Sequence, residues 1–412
     1  MIIELDRPHS TSVFDAGLPA IDYQLEDDPE SAHAIIRQAR EQAPIALGPY
    51  GPELLTYELV HAVLRDPRFH TPPGFVLAAQ GITSGPLWDR AAASILTMNG
   101  PEHHRLRRLV SKAFAPRAAA RLRSTITEVI NELVDPLTAT GRCDLVRDVA
   151  EKYPIPIICA LLGTDRGDWK LFSDWTDDIM KAFGWTAAQD EATILASWQA
   201  LDDYIDDMIE VRRTDLTDDL LSDLIRAEDD GDRLSHSELL MLASGLLIAG
   251  TDTTRNQVAA AVYSLCHHPD QWALLGEHPE LAPNAVEEVV RHSPIAAATF
   301  RTSDVDVEMC GLTIPAGTFV VVNAASANRD PAVFDEPDRL DITREAPAAA
   351  LTFGGGVHYC LGSHLARAEL VEALTVMTRR MPNVRRAGPA PWKPLTGLSG
   401  PITLPIEFDA GH

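Results

Sequence analysis

Phe353-Gly354-Gly355-Gly356-Val357-His358-Tyr359-Cys360-Leu361-Gly362 sets a cysteine between a glycine-rich turn and a helical pattern running from Leu361 to about Met377. Three successive glycines leave the backbone free to adopt positive φ and to approach a flat ligand closely. The start of a helix carries partial positive charge and unpaired N–H groups, which stabilise a thiolate. An anionic sulfur held there is a strong axial donor to iron. The plainer reading of the same residues is a buried structural cysteine after a turn.

Upstream, Ser235 to His268 reads as one helix of about 34 residues, on the order of 50 Å long. From Leu239 to Ala249 it is apolar on nearly every face and therefore buried all round. In its middle stands Ala249-Gly250-Thr251-Asp252-Thr253-Thr254, an odd place for an acid and three hydroxyls. Gly250 leaves a gap where a small ligand can lie against the backbone, and a threonine hydroxyl can bond back one turn and open the helix. Read alone, the segment is equally a kink with a capped acid.

Two charged segments flank these motifs. Glu288-Val289-Val290-Arg291 places opposite charges at i and i+3, a pairing common on helix surfaces. Pro101-Glu102-His103-His104-Arg105-Leu106-Arg107-Arg108 puts His103 and Arg107 four residues apart on one face. By itself this is a basic helix face.

The rest of the 412-residue chain bounds the answer. Sixty acidic against 35 basic residues give a net charge of −25, which argues against nucleic acid or an anionic membrane as partner. Five scattered cysteines without a CxxC pair indicate neither a disulfide framework nor a zinc site. With no apolar stretch near the roughly 20 residues a membrane span needs, the chain reads as reduced, soluble and cytoplasmic. Helical patterns dominate, from Pro29 to about Glu41, Tyr57 to about Arg65, and Pro101 to Glu228 with breaks at Pro116, Pro154, Pro156 and Gly184. Pro72 to Gly100 reads as a long irregular loop, and Asp215 to Arg233 as an acidic connector with one short helix. Alternating residues between Thr299 and Val322, turning at Pro315-Ala316-Gly317, and Ile402–Phe408 read as strands.

Taken in order, these motifs resemble those of the cytochrome P450 superfamily, soluble bacterial type, over essentially the whole chain. The cysteine decapeptide matches the family's Phe-x-x-Gly-x-His-x-Cys-x-Gly signature, and Ala249–Thr253 its oxygen-activation motif. The resemblance implies one mainly α domain over 1–412, a triangular prism with a small β-rich region and no fused reductase or ferredoxin. Heme b is then expected between the long central helix and the Cys360 loop with its following helix. Cys360 is the expected iron ligand, with Phe353 packed beside the sulfur and Gly250 against the cofactor. His103, Arg107, Arg301 and His358 are expected to meet the heme propionates. Asp252 and Thr253 are implied to deliver protons on the oxygen-binding side. Glu288 and Arg291, completed by Arg339, form the expected structural triad; Leu340 follows where an aromatic is frequent.

Family layout places Ser244, Ile248, Ala249, Ile295, Ala296, Ala297 and Leu398 at the substrate pocket, with the Pro72–Gly100 loop, Phe183 and Trp185. The expected activity is monooxygenation of an apolar small molecule (a terpenoid, steroid, fatty acyl or aromatic compound) with O2. Electrons are expected from a separate ferredoxin and its NAD(P)H-dependent reductase, with the enzyme a monomer. Arg105, Arg108, Lys112, Arg117, Arg121 and Arg123 form the basic patch expected to receive that acidic ferredoxin, although internal pairing explains them as simply. Two rivals are a heme-thiolate isomerase, dehydratase or peroxygenase, and a heme-binding sensor or carrier without turnover.

Overall fold

The computed structural model describes residues 10–164, 166–185, 187–229, 234–345, 348–395 and 397–410. Proline and polar caps start many of its helices. Asp28 caps α1 (Pro29–Gln42), its carboxylate accepting from the Ser31 N–H with Pro29 at the first position. Helix α2 (Tyr57–Val63) follows a hairpin. Inside the stretch expected to be irregular, Gly85 at φ 94 and Pro86 start a further helix, α3 (Pro86–Ala92). Next come α4 (Gly100–Ser111), α5 (Pro116–Arg121), α6 (Arg123–Thr138) and α7 (Pro154–Leu162). Pro154 and Pro156 lie in the first turn of α7, where no N–H is required, so they begin a helix instead of breaking one.

Two long antiparallel neighbours, α8 (Trp169–Met180) and α9 (Ala187–Arg213), lead to the short α10 (Leu220–Asp229) of the acidic connector. The last four residues expected in that connector, 230–233, lie outside the described part. Then comes α11 (His236–Cys266), started by a reciprocal capping box between Ser235 and Glu238. After it stand α12 (Pro269–Glu277), α13 (Ala282–His292), α14 (Ala324–Ala327) and α15 (Ser363–Arg380).

Helix α11 is the axis of the molecule. It packs against α7, α8, α9, α10, α12, α13 and α15, and its Val258, Ala260, Val262 and Leu265 are fully buried in the main core. Each fully buried Val or Leu side chain there contributes about 1.5–3 kcal/mol. The β-rich part is a five-stranded sheet in the order Ile45–Gly48, Gly51–Leu54, Val320–Asn323, Ala298–Ser303, Phe69–His70. Its neighbours are antiparallel except Gly51–Leu54 against Val320–Asn323. Near the C-terminus, Pro405–Glu407 pairs with Arg385–Arg386 and with Arg142–Asp144. Among the described residues no helix is long and apolar enough to cross a membrane.

One buried ion network fixes the approach to the cysteine loop. Arg291 grips Glu288 with two 2.8 Å hydrogen bonds, and both side chains are buried. Arg291 also donates to the carbonyls of Asn328, Pro337 and Arg339. The second guanidinium on Glu288 is that of Arg344, at 3.1 Å, and not the expected Arg339. The chain turns at Glu336, held at φ 41, and this sends the Arg339 side chain out to 58% exposure, beside Glu336 and Asp341. A second turn, closed by the Arg344 N–H on the Asp341 carbonyl, brings Arg344 back inward. Removing one partner of a buried pair costs about 3–5 kcal/mol, whereas an exposed pair is worth about 1 kcal/mol or less. Arg344→Ala is therefore expected to lower the urea midpoint strongly and Arg339→Ala barely; equal shifts would refute the assignment.

Candidate functional site

The cysteine loop begins with a 3-10 turn, Leu351–Phe353, closed by the Gly354 N–H on the Leu351 carbonyl. Gly354 and Gly356 then take φ of 72 and 62. A methyl group on Gly356 would lie 2.3 Å from the Leu64 carbonyl oxygen, and one on Gly355 3.0 Å from Arg65 Nη1. These two glycines therefore let the loop sit on the end of α2, where close approach to a flat ligand was the expectation. The Cys360 N–H donates to the Phe353 carbonyl at 2.8 Å and closes the loop.

Cys360 itself feels opposing influences. Burial pushes its thiol up, while the Gly362 N–H and the guanidinium groups of Arg107 and Arg367 pull it down. Gly362 is the N-cap of α15, so the helix start acts on the sulfur through one specific N–H. A sulfur so placed becomes a thiolate on gaining a further positive charge, and a metal ion supplies one. The Phe353 ring lies beneath the Arg367 guanidinium, 4.4 Å from its Cζ, and Arg367 is in turn paired with Glu287.

On α11 the accessible residues form a stripe at four-residue spacing: Gly245, Ala249 and Thr253 are open or partly open while most of the helix is buried. Thr253 donates its hydroxyl to the Ala249 carbonyl at 2.7 Å, which leaves its oxygen lone pairs free to accept. Asp252 is buried beside it. Its Oδ1 accepts from Arg255 Nε at 2.8 Å and its Oδ2 from Asn256 Nδ2 at 3.1 Å. The same arginine reaches across to the half-exposed Asp177 of α8, so one guanidinium bridges a buried and a surface carboxylate.

A methyl group on Gly250 would lie 2.8 Å from Ile158 Cδ1, so this glycine permits close packing of α11 on α7. Ser244 is turned aside: it donates to the Leu240 carbonyl and lies 3.2 Å from Arg90 Nη2, facing α3 and α9. Ile248, Ile295 and Ala297 are buried in core clusters. Ala249 is exposed, and Ala296 and Leu398, joined by an isolated antiparallel bridge, are partly so. Gly245, four residues before Ala249, shares its open face. Phe183 meets Phe75 edge-on, and Trp185 stacks on Tyr50 with centroids 3.4 Å apart and meets Phe300 edge-on.

Beside Cys360 four basic side chains converge from three places: His103 and Arg107 from α4, Arg301 from the strand Ala298–Ser303, and His358 from the loop. His103 is 1% exposed with both ring nitrogens unpartnered, its ring centroid 4.3 Å from that of His358. Burial, with Arg107 and His104, pushes His103 down to about 4. Burial, then His103, Arg301 and Arg107, pushes His358 down to about 3. Arg301 is buried, held by the Thr299 hydroxyl and the Phe300 carbonyl, and lowered by burial to about 10. Arg107 donates to the Tyr359 carbonyl.

Among the described residues no carboxylate pairs with any of these four, in a chain carrying 25 excess negative charges. A buried polar group without a partner costs about 1–3 kcal/mol, and a bound acceptor recovers it. The donor set (a desolvated sulfur, two arginines and two neutral imidazoles able to donate to an anion, and an uncharged stripe with a hydroxyl) fits an iron group bearing two carboxylates.

Comparison with known proteins agrees with this chemistry. The Cytochrome P450 family model matches residues 56–381. Mycinamicin IV hydroxylase/epoxidase of Micromonospora griseorubida is 42% identical over 369 residues, covering 87% of this chain and 91% of that protein. Nocardicin C N-oxygenase of Nocardia uniformis subsp. tsuyamanensis is 39% identical over 372 residues, with the same two coverages. The crystal structure of CalO2 superimposes with a TM-score of 0.89 at 32% identity, over 95% of this chain and all of that one.

The histidine pair makes the site pH-sensitive in a defined sense. Below about pH 6.5 an unfolded chain protonates both imidazoles, whereas the folded one keeps them neutral to about 4 and 3. Their contribution to stability is thus full above 6.5 and lost as pH falls from there. In the cofactor-free protein the melting temperature is expected to drop between pH 7 and pH 5, and His103→Phe to flatten the drop. Loading heme, whose carboxylates raise both imidazoles, is expected to shrink it; an unchanged drop would remove these histidines from any anion site.

Proposed function

The chain belongs to the cytochrome P450 family and is a heme-dependent monooxygenase, and on that footing we propose that it inserts one oxygen atom of O2 into an apolar small molecule, with Cys360 as iron ligand. The observation that carries the placement is the cluster of His103, Arg107, Arg301 and His358 next to Cys360, with which no carboxylate pairs among the described residues. Bound there, heme supplies dioxygen binding and the redox chemistry of O–O cleavage. His103, Arg107, His358 and Arg301 hold its carboxylates, and Phe353 with Arg367 shields the sulfur.

Proton handling falls to α11. The Thr253 oxygen accepts from a donor on the open side, and its proton becomes available when the bond to Ala249 breaks. Asp252 receives protons from the surface at Asp177 once Arg255 releases it. This acid–hydroxyl pair favours oxygen activation over the isomerase, peroxygenase or sensor readings. The uncharged wall of Gly245, Ala249, Ala296 and Leu398 suits an apolar substrate of terpenoid, steroid, fatty acyl or aromatic kind. Hydroxylation, epoxidation and N-oxygenation all occur in the names of its relatives.

Electrons are taken from a separate acidic ferredoxin with its NAD(P)H-dependent reductase. Half of the basic patch is consumed within the chain: Arg105 by Glu102 and Glu238, Arg121 by Asp218, Arg123 by Glu372. Arg108, Lys112 and Arg117 are exposed, and no carboxylate pairs with them among the described residues. Val357 and Tyr359, on the cysteine loop that Arg107 of α4 reaches, add exposed apolar surface.

The decisive experiment is the absorption spectrum of the reduced protein under carbon monoxide, with Cys360→Ala beside it. A strongly red-shifted Soret band in the wild type alone supports the reading; the same band without Cys360 defeats it. Turnover that needs no electron donor would instead select the peroxygenase or isomerase reading. Reversing Arg108 and Lys112 to glutamate is expected to slow reduction by a ferredoxin about tenfold at low salt, with Arg121→Glu nearly silent.

A further inference from the structure

Helix α15 carries a buried acid that none of the roles above employs. Glu369 is 2% exposed, and among the described residues no lysine, arginine or histidine pairs with it. Its Oε2 accepts from the Thr254 hydroxyl of α11 at 2.9 Å, and its backbone carbonyl accepts from the buried Tyr153 hydroxyl at 2.7 Å.

Thr254 is the exception among the three threonines of that helix. Thr251 and Thr253 donate back one turn, to Leu247 and Ala249, whereas Thr254 donates across to α15. The nearby charges do not help an ionised Glu369. On its own helix Glu372 is engaged by Arg123 and Thr127; on α11, Arg255 is occupied by Asp252 and Asp177. Tyr153, ahead of α7, is itself held protonated by burial beside Glu369 and Glu372. Burial raises the Glu369 carboxyl to about 8, against the opposing hydrogen bond from Thr254.

We propose that Glu369 is a positioning residue: its buried carboxyl ties α15, which follows Cys360, to α11, which carries Asp252 and Thr253, and so sets the spacing of the two walls of the site. The proposal rests on the reading of those helices as the walls that enclose heme.

The test is the thermal stability and reduced-CO spectrum of the heme-loaded protein from pH 7 to pH 9.5. Wild type is expected to lose stability as pH rises toward 8 and no further above it, and to lose the thiolate-type spectrum with a midpoint near 8, as the buried carboxyl ionises. Glu369→Gln keeps the acceptor and cannot ionise, so its profile is expected to be flat and its product yield per electron wild-type. Glu369→Ala and Thr254→Val break the tie from opposite sides and are expected to lower stability and the thiolate fraction already at pH 7; if the first does not fold, the second decides.

A Glu369→Gln protein that retains the transition near 8, or that behaves like Glu369→Ala at pH 7, overturns the proposal. Loss of product yield in Glu369→Gln with an intact spectrum also overturns it, in favour of a proton-donating role. The stability profile reads the tie independently of the iron ligand, so failure of Cys360 as ligand remains distinguishable in the spectrum alone.

Discussion

An uncompensated cluster of buried and half-buried basic groups beside a half-buried sulfur is the constraint from which the site follows. His103, His358, Arg107 and Arg301 come from three separate parts of the chain and meet where, among the described residues, no carboxylate pairs with them. In a chain this acidic, keeping carboxylates out of one interior region is as specific as placing cations in it. Held apart from their counter-ion by the fold, these groups are costly until an external anion joins them. In the proposed reading, binding of the cofactor completes this interior. Helix α11 supplies one wall, the loop seated on α2 supplies the other, and the Glu288 network braces the chain between them.

Arg255 adds a second constraint of the same kind, with the sign reversed. A buried Asp252 is tolerated because a guanidinium and an amide reach it from the next turn of its own helix. That solution ties the acid to the surface through Asp177. The surroundings of the buried carboxylate therefore depend on how firmly α8 is seated on α11.

Much of this was legible in the sequence, for local reasons. The Ser235 cap and unbroken apolar run of α11 act within a few residues, as does the spacing that places His103 and Arg107 on one face. The family signature pointed to Cys360 and to the fold. What escaped depends on distant neighbours. Arg339 has the right residue type in the expected segment, yet a turn at Glu336 hands its place to Arg344. Glycines are ambiguous in the same way: Gly250, Gly355 and Gly356 each mark a close approach, but only the fold shows that Ile158, Arg65 and Leu64 are what they approach. The helix at Pro86 was hidden by the glycine and proline that start it.

The contact of Gly356 with the Leu64 carbonyl also bears on how such a chain can change. Two segments nearly three hundred positions apart share one interatomic gap, and no side chain fits within it. The cysteine loop is consequently not a cassette. Transplanted into a relative whose second helix ends half a turn earlier or later, it would carry its ligand to a different height. Drift in that early helix, remote from the chemistry in sequence, is thereby restrained by the position of a sulfur atom near the other end.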